Sequence, residues 1–219
     1  MDRKEVLRYL GASENVPQLE RMIDRAEAEI SRVASPRYIE GRFSLTVEQE
    51  GVTLGGTFLP SKTLAAHLKG CQEAFLVAFT LGPGVDTLIR RFELTEMPLV
   101  PVLQAYAAAY TEEQADFAQR GMEQYAAERG LYLRPRYSPG YGDFPLSSQR
   151  FLFDALQVSK KIGITLTDNY LMLPMKSITG VVGVSPDPSL CHVGKCMTCS
   201  AVNCPFRKEP EGTLNIERG

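Results

Sequence analysis

An α+β fold with an antiparallel sheet is predicted by three observations. Tyr38 to Glu48 alternates apolar and polar residues, the period of a half-buried strand. Ala74 to Leu81 is a continuous apolar run rich in Phe and Val, the pattern of a strand covered on both faces. Helical segments are interleaved with these strands without the regular strand–helix–strand alternation of a parallel sheet.

The elements follow in chain order. Leu7 and Leu10, then Leu19, Met22, Ile23, Ala26 and Ile30, recur at three-and-four spacing and predict two opening helices. Asn15 and Pro17 suit the start of the second, and Pro36 lies just past its end. Ile39, Phe43, Leu45 and Val47 mark the buried face of the first strand. Glu50-Gly51 turns the chain into a short partner, Val52 to Leu54. Ser61 caps a short helix running to Leu68 and stopped by Gly70. After the apolar strand come helices from Val85 to Phe92 and from about Leu99 to Arg129. Ala105, Ala107, Ala108 and Ala109 in the longer one permit close approach of a neighbour. Leu146 to Lys161 reads as a helix capped by Ser147 or Ser148 and ended near Gly163. Strands over Thr165 to Met175 and Ser177 to Val184 follow. There is no internal repeat.

The 219 residues suffice for a core without staples, and 44% hydrophobic with 23% charged residues is an ordinary globular balance. Twenty-four basic residues against 26 acidic ones give a net charge of -2, which argues against nucleic-acid binding. No run of about 20 apolar residues spans a membrane, and Met1 to Glu5 is too charged for a signal peptide. A cytoplasmic protein is expected, whose cysteines are reduced.

Two turns could carry chemistry. Thr80-Leu81-Gly82-Pro83-Gly84 joins a strand to a helix, where N–H groups could meet an anion, but Pro83 removes one donor. A tight structural connection is the favoured reading. Arg136-Tyr137-Ser138-Pro139-Gly140-Tyr141 is a stiffer case. Pro135 and Pro139 pin the backbone around a forked cation and two aromatic rings, a set suited to a ligand with a carboxylate and a flat or cationic group. The same residues also suit a plain Pro/Gly turn whose arginine pairs with a nearby acid. His67, in Ala65-Ala66-His67-Leu68, reads as a structural or surface residue, and lone Cys71 as a small buried residue.

Arg136 to Tyr141 resembles the R-x-x-P-G-Y signature of the activation domain of cobalamin-dependent methionine synthase. Lys161-Ile162-Gly163-Ile164-Thr165-Leu166-Thr167 and Ser177-Ile178-Thr179-Gly180 are similar to the helix end and strands downstream of it, so the resemblance runs from about Thr111 to Asp187. It implies a free-standing homologue with a twisted antiparallel sheet flanked by helices over residues 1–190. It also implies S-adenosylmethionine binding and reductive methylation of cob(II)alamin in trans, with cobalamin held by a methyltransferase or corrinoid protein. A flavodoxin or ferredoxin is the implied electron donor. By that resemblance Arg136 holds the methionine carboxylate and Tyr141 lines the reacting end. Ser138, Pro139 and Gly140 complete the motif, and Glu112, or Glu113, is the acidic residue of the preceding helix that helps hold the ligand. A solvated helix-face charge is the alternative for Glu112. Pro186-Asp187-Pro188 departs from the family pattern, so contacts made there in relatives do not carry over.

Cys191, Cys196, Cys199 and Cys204 are spaced C-x4-C-x2-C-x4-C, close enough to converge on one ion. A metal-binding knuckle over residues 191–207, holding zinc or an iron–sulfur cluster, and a polar tail over 208–219 are expected. His192 could replace one thiolate. Two rivals to the methyl-transfer role remain: a non-enzymatic corrinoid-protein adaptor with a zinc knuckle, and an iron–sulfur electron carrier.

Overall fold

The computed structural model describes residues 2–12 and 16–189. The four-cysteine segment and the tail after it lie outside the described residues, as does Asn15, the expected cap of the second helix.

Helix α1 (Arg3–Leu10) starts where the Asp2 side chain accepts a hydrogen bond from Lys4 N–H. Helix α2 (Pro17–Val33) opens with proline at its first position, where no N–H is needed, and has no side-chain cap. Strand β1 (Arg37–Val47) pairs antiparallel with β2 (Gly51–Leu54), which pairs with an edge strand the sequence did not signal, β3 (Thr57–Pro60). Ser61 caps α3 (Lys62–His67) as expected, accepting from Leu64 N–H at 3.0 Å.

Strand β4 (Glu73–Thr80) is the apolar run, and it leads into α4 (Pro83–Thr95). The single helix expected from Leu99 to Arg129 is instead α5 (Val100–Ala118) and α6 (Arg120–Ala127), broken at Gln119. A two-residue strand β5 (Tyr132–Leu133) follows. The helix expected over Leu146 to Lys161 is a 3-10 turn (Leu146–Ser148), α7 (Gln149–Leu156) and α8 (Val158–Ile162). Gln157 sits between the last two at φ 55°, which interrupts the helical path, and neither serine makes a side-chain cap. Strand character over Thr165 to Met175 contracts to a small hairpin, β6 (Thr165–Leu166) with β7 (Met172–Leu173), because the Thr167 to Leu171 segment forms its turn. Strand β8 (Ser177–Ser185) closes the described fold.

Six strands form one antiparallel sheet in the order β3-β2-β1-β4-β8-β5. Central β4 is covered on both faces. Ala74, Leu76 and Ala78 join a core with α3, α7 and α8, while Phe75, Val77 and Phe79 face α5, α6 and the helices around them. Its unbroken apolar sequence is explained by that double burial. Helix α5 is the hub of the second layer, packed against α1, α2 and α4. Its Ala105, Ala107 and Ala109 are buried, so the small side chains do let neighbouring helices close in.

Candidate functional site

The Arg136 loop takes its direction from a local mismatch in the sheet. Arg134 N–H donates to Gly183 O at 2.8 Å and Tyr137 N–H to Val181 O at 2.9 Å. Three steps along the loop thus match two along β8. The extra residue falls where Pro135, lacking an N–H, could not have served the ladder. The bulge sends neighbouring side chains to opposite faces. Arg136 goes under α5, and Tyr137 goes to the α3 side, where its ring lies 4.9 Å from that of His67. His67 Nε2 is 2.7 Å from Pro135 O and ties α3 to the same bulge, so its role is structural.

Arg136 lies across β8 at Gly180, where a Cβ would stand 2.5 Å from Arg136 Cγ. Only glycine leaves that seat open. The side chain is 4% exposed and its guanidinium ends against α5. Its Nη2 donates to Glu112 Oε2 at 2.6 Å and to Asp116 Oδ1 at 3.2 Å, and its Nη1 donates to Gln119 Oε1. Arg136 Nε is buried without a hydrogen-bond partner. A guanidinium open to an incoming carboxylate was one expectation and an arginine paired to a nearby acid the other. The structure has the pairing. Beside the arginine is a cavity of only about 10 Å³, lined by Tyr38, Val77, Gln119 and Ile178 among others. One water is the most such a space holds. A larger open groove of about 480 Å³, between Val47 to Gln49 and Lys62 to Gly70, contains none of the expected site residues.

Access to the ion pair is from the carboxylate side, where Glu112 is 36% and Asp116 67% exposed. The loop beyond it is rigid. Tyr141 N–H donates to Ser138 O at 3.1 Å, closing a turn with Pro139 and Gly140 at its centre. Gly140 has φ 96°, the requirement of the third position of a type II turn. Asp143 then fastens the loop to α3, accepting from Ser61 Oγ at 2.6 Å, Thr63 Oγ1 at 2.5 Å, Lys62 N–H at 2.9 Å and Thr63 N–H at 3.1 Å. Those donors, led by the hydroxyls of Ser61 and Thr63, hold its carboxyl far below the ordinary carboxylate range. Tyr141 is 41% exposed and its ring packs edge-on to Tyr137 at 5.8 Å. Partial burial raises its phenol and the Glu112 carboxylate adds to that, while Arg136 and a hydrogen bond with Ser138 oppose it. Tyr9 of α1, a helix packed against α5, adds to the same shift.

Arg136, Glu112, Ser138 and Tyr141 are thus brought together, with Pro139 and Gly140 shaping the turn between them. Two neighbours were missed by sequence reasoning: Asp116 and Gln119. Glu112, Asp116 and Gln119 are spaced i, i+4, i+7, one face of a helix, and that polar stripe was a signal available in the sequence. The Thr80 to Gly84 turn is structural. Its Leu81 N–H donates to Lys176 O, its Gly82 N–H to Thr80 Oγ1, and Leu81 O accepts from Ser35 N–H at the end of α2. Among the described residues no group of three or more His, Cys, Asp or Glu could hold a metal, and no helix is long and apolar enough to cross a membrane.

Residues 106–207 match the family model described as vitamin B12 dependent methionine synthase, activation domain, a range that takes in the Arg136 loop and all four C-terminal cysteines. Among solved structures the fold is similar to the crystal structure of the MetH reactivation domain bound to AdoHcy. That match has a TM-score of 0.60 at 18% identity and covers 78% of this chain and 66% of that one. The chain therefore spans just under two thirds of that relative's length. No curated protein matches the sequence. In fold, and over residues 106–207 in sequence, the chain resembles the activation domain of B12-dependent methionine synthase.

Proposed function

We propose, from that likeness and from the charge arrangement at Arg136, that the chain binds S-adenosylmethionine and serves cobalamin reactivation in trans. The carrying observation is the Glu112–Arg136 pair, a carboxylate and a guanidinium held 2.6 Å apart at the accessible edge of α5. An α-amino acid end presents the complementary pair of charges. Its carboxylate takes the guanidinium in place of Glu112, and its ammonium takes the Glu112 carboxylate, so the exchange loses no charge pairing. The ligand lies along the rim of α5 and the Ser138–Tyr141 turn, not in an enclosed cavity, with Tyr141 bordering its sulfonium end.

The chain's residues position the methyl group and shield it; they supply no acid or base to the transfer. The methyl passes to cobalt that a one-electron donor of low potential, of flavodoxin or ferredoxin type, has reduced. The S–CH3 bonding pair stays on sulfur and leaves a neutral thioether. The cobalamin belongs to a partner methyltransferase or corrinoid protein, which makes this chain one component of a methyltransferase activity in the cytoplasm.

Residues 1–190 are in this reading the activation-type domain. Cys191, Cys196, Cys199 and Cys204 make a zinc or iron–sulfur knuckle over 191–207, and 208–219 is a tail. Anaerobic purification with metal analysis and a visible spectrum tests the knuckle: bound zinc, or iron with absorbance near ~400 nm, is expected, and a metal-free protein contradicts it. For the activity, free cob(II)alamin, titanium(III) citrate and methyl-labelled S-adenosylmethionine are incubated with and without the protein. Faster appearance of labelled methylcobalamin with protein is expected, and identical rates contradict the proposal.

A further inference from the structure

The charges around Arg136 do not balance. One guanidinium faces two carboxylates, Glu112 and Asp116, and among the described residues no other Lys or Arg pairs with either. Helix α5 carries no Lys or Arg, and Arg120, which opens α6, is turned onto the Phe117 ring at 4.6 Å. Glu113 adds negative charge on the same stretch of α5, where it helps raise the Tyr110 phenol. Arg136, Glu112 and Asp116 together carry a net charge of minus one, which a zwitterion does not neutralise.

That excess bears on which ligand the site prefers, given the reading that it takes an S-adenosyl amino acid. Once the ligand's carboxylate and ammonium have exchanged with the Glu112–Arg136 pair, Arg136 is shared between that carboxylate and Asp116, and the set lacks one positive charge. A sulfonium donor carries a net charge of plus one at neutral pH and supplies that charge. The thioether left after the methyl departs is a neutral zwitterion and does not. We propose that Asp116 is a specificity-determining residue that makes the site prefer the sulfonium donor over its thioether product. Product is then displaced by fresh donor instead of accumulating on the protein. Because Asp116 is 67% exposed, solvent and salt screen the effect to about threefold to tenfold in affinity.

Calorimetry tests this with S-adenosylmethionine, S-adenosylhomocysteine and sinefungin, which carries an ammonium in place of the sulfonium, on the parent chain and on Asp116→Asn. The parent is expected to bind the two cationic ligands at least about threefold more tightly than the thioether, with the gap narrowing as salt is raised. In Asp116→Asn the cationic ligands weaken by about threefold to tenfold while the thioether, whose carboxylate no longer shares Arg136 with Asp116, does not weaken, so the preference collapses. Equal weakening of all three ligands, or no change in any, overturns the role of Asp116. If the parent binds none of the three, the reading of the site itself fails, and this inference with it. A matching thermal melt of parent and variant shows that the exposed substitution leaves the fold intact.

Discussion

At the scale of single residues, the site is defined by one side chain and the space left for it. Arg136 can cross β8 only because position 180 has no Cβ, so Gly180→Ala pushes the guanidinium off Glu112. A loss of about 1–3 kcal/mol in chemical denaturation is expected from this overpacking, together with weaker S-adenosylmethionine binding. Unchanged stability and affinity would show that the seat is not needed. Asp143 gives a pH-dependent case. Its folded-state carboxyl is held below the ordinary range, so its contribution is complete above the unfolded value of about 4 and lost as pH falls further. The stability advantage of the parent over Asp143→Asn is therefore expected to be constant from pH 8 to about 5 and to shrink as pH is lowered toward 2. A difference that instead grew in acid would reverse the assigned sign.

Elements were legible where a single local rule decided them. The alternation in β1, the apolar run of β4 and the Ser61 cap of α3 each follow from short-range chemistry, and the structure has them. The breaks at Gln119 and Gln157 were not legible. Neither glutamine is a helix breaker by propensity: Gln157 turns left-handed at φ 55°, while Gln119 keeps a helical backbone at φ -72° and ψ -13°. The edge strand β3 and the two-residue β5 exist only through their partners, and so carry too little pattern of their own. At the site, the loop chemistry of Arg136 to Tyr141 was readable, but the engagement of Arg136 by α5 was not, because it depends on a bulge at Pro135 that is visible only with β8 in place. The burial pattern of α5 gives its own test. Ala107 is fully buried, so Ala107→Leu is expected to cost about 1–3 kcal/mol, whereas Leu94→Ala, at a position 89% exposed, should stay within about 0.5 kcal/mol. Similar losses from both would contradict the close packing assigned to α5.

For the molecule as a whole, the sheet divides labour between its faces. The α3, α7 and α8 face anchors the loop through Asp143, Tyr137 and His67, and the α5 face receives Arg136 and sets the charge around it. The rim of α5 thus draws together distant parts of the described chain, from Glu112 of α5 and the Ser138–Tyr141 turn to Gly180 of β8. In the proposed complex Arg136 exchanges Glu112 for the carboxylate of a sulfonium amino acid. Isothermal titration of S-adenosylmethionine into the parent chain and into Arg136→Ala measures it directly. Saturable one-to-one binding by the parent, weakened at least about a hundredfold in the variant, is the expected result. Equal affinity in the two proteins would mean that the ion pair is a structural feature of the turn and that the ligand, if it binds, is held elsewhere.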